Sequence, residues 1–137
     1  MHADALAELE ALELVVRNRP DVIELRVLIL MHAKKWDKAL ADSRKLCEVR
    51  PGAAIGYIHT AFCLHELGRS SEAKSALLSG PAVLLQEPTY HYNLACYECA
   101  LGNLESAQAH LETSIALDKK FRDYAKNDPD LKPLYSQ

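Results

Sequence analysis

The sequence predicts an all-α chain built as a stack of antiparallel helix pairs, and three observations carry that prediction. Ala39, Ala73 and Ala107 recur at intervals of 34 residues, as do Val27, Ala61 and Ala95, and again Ser43, Leu77 and Leu111. Gly68 returns as Gly102, and Val49 returns as Val83 and Leu117. A self-similar period of this size marks supersecondary units laid side by side. Between the echoes, apolar residues fall at helical rather than strand spacing. Breakers at Pro20, Pro51, Gly68, Pro88 and Gly102 then cut the chain into helix-length segments.

The first helix is expected over residues 4–18, with Leu6, Leu9, Leu12, Val15 and Val16 on one face and Glu8, Glu10 and Glu13 between them. Arg17 and Arg19 suit its C-terminal turn, and Pro20 ends it. Pro20-Asp21 opens the next helix, carrying Ile23, Val27, Leu28, Leu30 and Met31 to about Ala33. After a Lys34-Lys35 turn, Trp36 starts its partner, with Ala39, Leu40, Ser43, Leu46 and Val49 expected inward. Arg50-Pro51-Gly52 stops it. The second unit runs from Ala54 to Leu67, turns at Gly68-Arg69 and resumes at Ser70 or Ser71, where serine can cap. Ser79-Gly80-Pro81 interrupts that helix before Val83-Leu84-Leu85, because proline lacks a donor and clashes with the preceding turn. Pro88-Thr89 opens the third unit, Gly102-Asn103 turns and caps it, and Leu104 to Leu117 completes it. A last helix over 119–126 shields the end of the stack. Beyond it, Asp128-Pro129-Asp130-Leu131-Lys132-Pro133-Leu134-Tyr135 reads as irregular, with Leu131 and Leu134 turned towards the final helices.

The chain has 137 residues, 49% of them hydrophobic and 26% charged, enough for one domain with a continuous core. The longest apolar run, Val27 to Met31, is five residues, far below the roughly 20 of a membrane span. The start, Met1-His2-Ala3-Asp4, has neither signal-peptide nor transit-peptide character, which predicts a cytoplasmic protein. Cys47, Cys63, Cys96 and Cys99 all fall in helical patterns and are expected as free thiols. Net charge is −3, unevenly spread: residues 51–118 carry two bases against seven acids, and residues 119–137 five bases against three acids. No long basic stripe runs along any segment, which argues against nucleic acid as a partner.

The stretch Tyr92-Asn93-Leu94-Ala95-Cys96-Tyr97, followed by Leu101-Gly102-Asn103-Leu104-Glu105-Ser106-Ala107, closely resembles a tetratricopeptide repeat. Large and small neighbours, Leu94-Ala95, stand in its first helix, glycine at its turn and Ala107 one turn into its second. The middle unit matches at Tyr57, Ala61, Gly68, Ala73 and Leu77. The first matches at Trp36, Ala39 and Pro51, with Lys34 where the family has glycine. The resemblance covers nearly the whole chain. It implies a right-handed superhelical stack, an α-solenoid: a half-repeat at 1–19, units at 20–52, 53–87 and 88–118, and a cap helix and tail at 119–137. In compact size and repeat content the chain also resembles the bacterial kinesin light chains, small proteins that accompany bacterial tubulins. Its repeats are shorter than those of true kinesin light chains. That second resemblance implies a tubulin-like filament as partner.

In the tetratricopeptide family the first helices line a concave groove that receives peptides or helices. Projected here, the groove comprises Leu28, Met31 and His32, then Ile58, His59, Phe62 and His65, then Tyr92, Asn93, Cys96 and Cys99, with Phe62 at its centre. The lysine, arginine and asparagine clamp with which some members hold chaperone carboxylate tails is missing. Glu24, Ile58, Phe62 and Tyr92 stand at those sites and only Asn93 fits, which excludes chaperone-tail binding. Cys96-x-x-Cys99 lies mid-helix, without the strand-to-helix start of a redox motif. Only His91 and Cys63 stand as further candidate zinc ligands, so packing is the expected role and no metal or cofactor is expected. The histidines have no acid or nucleophile at catalytic spacing, and no phosphate loop, HExxH or GxSxG occurs. Neither a catalytic residue nor a small-molecule substrate is expected. Two basic clusters complete the surface: Lys34, Lys35 and Lys38 around Trp36, and Lys119, Lys120, Arg122 and Lys126. Trp36 is expected to face inward and the lysines to be solvated; an anionic membrane is the alternative contact. The leading expectation is a non-catalytic adaptor that holds a protein segment in its groove. The alternative is a peripheral linker tying a tubulin-like filament or complex to anionic lipid at the inner membrane surface.

Overall fold

The computed structural model describes residues 2–11, 16 and 18–136, and among them it is helical without a strand. Helix α1 (His2–Ala11) leads into α2 (Pro20–His32), α3 (Trp36–Val49), α4 (Ala54–Glu66) and α5 (Ser70–Leu78). After a 3-10 turn at Ala82–Gln86 come α6 (Pro88–Ala100), α7 (Leu104–Leu117) and α8 (Lys120–Lys126). A second 3-10 turn, Pro129–Leu131, and a short α9 (Lys132–Tyr135) close the chain. Leu12, Val15 and Arg17 of the expected first helix lie outside the described residues. Each helix packs on the next in sequence from α2 to α7, and the first helices α2, α4 and α6 also touch one another. They form one row, the second helices α3, α5 and α7 the other.

The sequence lattice reappears as a burial lattice. Val27, Ala61 and Ala95 are fully buried, and so are Ala39, Ala73 and Ala107. These are the points where small side chains let paired helices approach. The exposed positions repeat as well. Val49, expected inward, is 49% exposed, and its echoes Val83 and Leu117 are 43% and 47% exposed. Each stands near the end of its unit.

The turns inside the three units are the same motif. Lys35, Arg69 and Asn103 donate their backbone N–H to the carbonyls of Leu30, Leu64 and Glu98 at 2.9, 2.8 and 2.9 Å. That closure requires a left-handed residue just before it, and Lys34, Gly68 and Gly102 supply it with φ of 57°, 77° and 82°. A Cβ added at Gly68 or Gly102 would meet nothing within 4 Å, so only the backbone conformation opposes a side chain there. A non-glycine residue in this region costs about 1–2 kcal/mol, against roughly 0.4–1 kcal/mol for the extra unfolded freedom of glycine. Lys34→Gly should therefore stabilise by roughly 0.5–1 kcal/mol, and Gly68→Ala should destabilise by about 1 kcal/mol. Urea denaturation of both variants checks this; a destabilising Lys34→Gly contradicts it.

The expected side-chain caps do not form. Arg69, not serine, stands at the N-cap of α5, and the Ser70 hydroxyl pairs with His65 Nδ1 at 2.8 Å. Asn103 holds the N-cap position of α7, but its amide donates to Glu98 Oε1 at 3.1 Å. In both cases a partner from the preceding helix takes the polar group. Between α2 and α3, Arg26 grips Asp42 with two hydrogen bonds of 2.7 and 3.1 Å in a largely buried setting, a fork geometry that orients as well as attracts. Gly80-Pro81 ends α5 early, and the following turn buries only Leu84 while Leu85 stays exposed.

Candidate functional site

The row α2, α4 and α6 carries all of the expected groove residues, and the structure divides them into two halves. In the first half the face is open. Leu28 and His32 on α2 are exposed, and Met31 is half-buried. On α4, His59 and Phe62 are half-buried and Ile58 is buried. Phe62 does not stand free: its ring lies 5.8 Å from that of Trp36, which opens α3 and is itself half-buried against the core. Burial lowers the pKa of His59, opposed by Glu24, and its Nε2 has no hydrogen-bond partner among the described residues.

In the second half the face is covered by the chain itself. Tyr92 is 8% exposed and Cys96 5%, with Cys99 buried beside them and Asn93 half-buried. The Tyr92 hydroxyl donates to Asp128 Oδ2 at 2.6 Å, while its ring packs on Phe121 of α8 at 5.1 Å. Asp128 in turn accepts the backbone N–H of Asp130 at 3.0 Å, which closes the 3-10 turn. Two residues on, Asp130 Oδ2 lies 3.1 Å from His65 Nε2. Leu131 is wholly buried in the core cluster and Leu134 is half-buried against it. The 3-10 turn packs on α6 and α9 packs on α7, so residues 128–135 form a strap over the third unit. Tyr92, Cys96 and Cys99 are thus not open to a peptide while the strap is in place. The sequence reading missed Asp128 and Asp130. The available signal is two carboxylates at i and i+2 directly before an apolar residue, in a segment that reads as irregular and folds as a 3-10 turn and a short helix.

The electrostatics follow from burial. Burial first, then the hydrogen bond to Asp128, pushes the Tyr92 phenol far above its ordinary value, so it stays a donor. Burial raises all four thiols: Cys63 goes up to about 11, and Cys96 and Cys99 are raised further by the nearby strap carboxylates. A raised thiol is a poor nucleophile and a poor metal ligand at neutral pH. Among the described residues no group of three His, Cys, Asp or Glu side chains has an arrangement that could hold a metal ion.

The basic clusters differ from each other. Lys34, Lys35 and Lys38 are exposed and edge a hollow of about 380 Å³ between Trp36 and Leu67. Lys119, Lys120, Arg122 and Lys126 are also exposed, but Lys120 pairs with Asp118 at 3.4 Å and Lys126 with Asp123 at 3.9 Å. No described helix is long and apolar enough to cross a membrane.

Helix pairs with one burial pattern repeated three times and one shared row of first helices define a solenoid of the tetratricopeptide type. No family model matches the chain, and no curated protein matches it. Among solved structures it is similar to MamA from Desulfovibrio magneticus RS-1, residue 41 to the end, with a TM-score of 0.77 at 16% identity. That superposition covers 98% of this chain and 80% of the other. At such low identity the likeness establishes the fold.

Proposed function

We propose that this chain is a non-catalytic adaptor that holds a segment of another protein along the row α2, α4 and α6. The observation that carries the reading is the open first half of that row. There Leu28 is 40% exposed, beside half-buried Met31 and Phe62. Apolar side chains left uncovered on a helix face favour a protein occupant over solvent. The tetratricopeptide-type fold supports the same class of function, since such arrays serve as extended binding surfaces.

Affinity capture from the native cell, with the double variant Leu28→Ala, Phe62→Ala beside the parent, tests this reading. A hot-spot pair should weaken the retained partner by about 2 kcal/mol or more, roughly thirtyfold, with little salt dependence. Phe62 also packs on Trp36, so Leu28→Ala alone serves as the control that leaves that ring pair intact. Reversing Lys34, Lys35 and Lys38 to glutamate should leave the partner bound.

The opposite pattern supports the second reading, a peripheral linker in which these lysines contact anionic lipid and a tubulin-like filament is the partner. Its support is the exposure of the three lysines, none of which forms an ion pair among the described residues. Each basic residue near an anionic surface contributes about 1 kcal/mol, so reversal of all three would abolish vesicle binding under that reading.

A further inference from the structure

We propose that the strapped half of the row is a recognition site for a partner segment of the type acidic-x-acidic-Leu, and that residues 128–131 occupy it in the partner's absence. The proposal rests on the adaptor reading and names the chemistry of its partner. The strap itself displays what the site accepts. Two donors on adjacent first helices, the Tyr92 hydroxyl on α6 and His65 on α4, meet two carboxylates spaced by two residues, Asp128 and Asp130. The Tyr92 contact, at 2.6 Å, is in the short range of a hydroxyl donating to an ionised oxygen. His65 is held in place from behind by Ser70 at 2.8 Å and by the Tyr97 ring at 4.9 Å. Next to the paired carboxylates the site offers a closed apolar slot, which Leu131 fills completely.

The grip at the Asp130 end is loose. Its side chain is 48% exposed while that of His65 is 13% exposed, so the donor is built in and the acceptor is replaceable. The Tyr97 hydroxyl, on the same helix as Tyr92, is buried without a hydrogen-bond partner among the described residues. The site continues directly into the open half of the row, because α4 contributes His65 to one and Phe62 to the other. A partner segment lying along Leu28 and Phe62 therefore meets the strap end-on and can displace it.

A tethered strap competes at an effective concentration on the order of millimolar, so a free peptide should bind poorly until the strap is released. The test uses the full chain and a fluorescent peptide copying residues 125–135. Against the parent, the variant Asp128→Asn, Asp130→Asn, Leu131→Ala should bind this peptide at least about tenfold more tightly. A peptide with both aspartates replaced by asparagine should bind at least about tenfold more weakly to the released variant than the unmodified peptide does. Adding Tyr92→Phe and His65→Gln to the released variant should remove the gain. If the triple variant fails to fold by circular dichroism, Asp130→Asn alone provides the readout, with faster hydrogen exchange at residues 128–135 and a smaller gain in peptide affinity. Equal affinity in parent and released chains overturns the proposal, as does equal binding of the asparagine peptide. A concentration-dependent dimer of the released chain on sedimentation also overturns it and assigns the site to a second copy. These failures concern His65, Tyr92 and the strap; failure of the adaptor reading appears instead at Leu28 and Phe62.

Discussion

Replacing Ala95 or Ala61 by tryptophan should unfold the stack or leave it loosely packed. Both alanines are fully buried on first helices, at the equivalent point of successive units. Added bulk in a close-packed core ordinarily costs about 1–3 kcal/mol. Here an entire indole must enter between helices held apart by a single methyl group, so the loss should exceed that range. Because each unit is stabilised through its neighbours, separation of one helix pair also strips the interface to the next. Thermal denaturation should show the Tm falling by more than 10 °C, or the loss of a cooperative transition. A Tm unchanged in both variants would mean that the helix pairing described above is wrong.

The second large effect concerns a departure from the lattice. Leu30 and Leu64 are buried at 4% and 2% exposure, and the third unit places Glu98 at the same point, 3% exposed. One step back, Leu40 in the first unit gives way to Lys74 in the second, and the Lys74 ammonium pairs with Glu98 at 2.9 Å. An apolar pair of positions thus becomes an ion pair between α5 and α6. Burial raises the Glu98 pKa, but the hydrogen bonds from Lys74 and Asn103 outweigh it, and the net value lies below the ordinary range. Lys74→Leu removes the larger compensation and leaves a buried carboxylate whose one remaining side-chain hydrogen bond among the described residues comes from Asn103. Breaking such a pair from one side costs about 3 kcal/mol. Replacing both residues with leucine should restore the parent's stability or exceed it by about 1 kcal/mol.

The sign with pH follows. In the parent, a depressed folded pKa means that Glu98 contributes stability above its unfolded value, and this is lost as pH falls through the folded value. In Lys74→Leu, burial is opposed only by the Asn103 hydrogen bond and the weaker influence of His110, and the folded value should rise above the unfolded one. The variant is then penalised at neutral pH and relieved in acid. Parent and variant should therefore differ most at pH 7 and least near pH 4. A loss independent of pH would show that Lys74 contributes packing by its methylene stem rather than charge.

The helix stack was legible in the sequence because the interval of 34 residues is a statement about geometry. Alanine at three equivalent points can mean only that helices meet closely there, and all three are buried. The left-handed turns were legible at Gly68 and Gly102 for the same kind of reason, since few other residues tolerate that backbone. Lys34 broke the residue rule while keeping the conformation, with φ of 57°. There the two flanking helices impose the turn and the side chain bears the strain. Val49 and the serine caps were misjudged because a single helix cannot report what its neighbours cover or which distant donor takes a hydroxyl.

The candidate site was legible in half. The first helices and their exposed apolar residues follow from the period, because the period alone assigns faces. What covers Tyr92 and Cys96 does not follow from it. The strap at 128–135 lies outside the repeat, so no echo specifies its path. It is placed by contacts with residues far away in the chain: Tyr92 to Asp128 and His65 to Asp130. By itself the sequence determined the architecture, since local spacing and small residues dictate how helices pair. Only the tertiary structure decided which part of the row is open, since that depends on where a non-repeating segment finds its hydrogen-bond donors and its apolar slot.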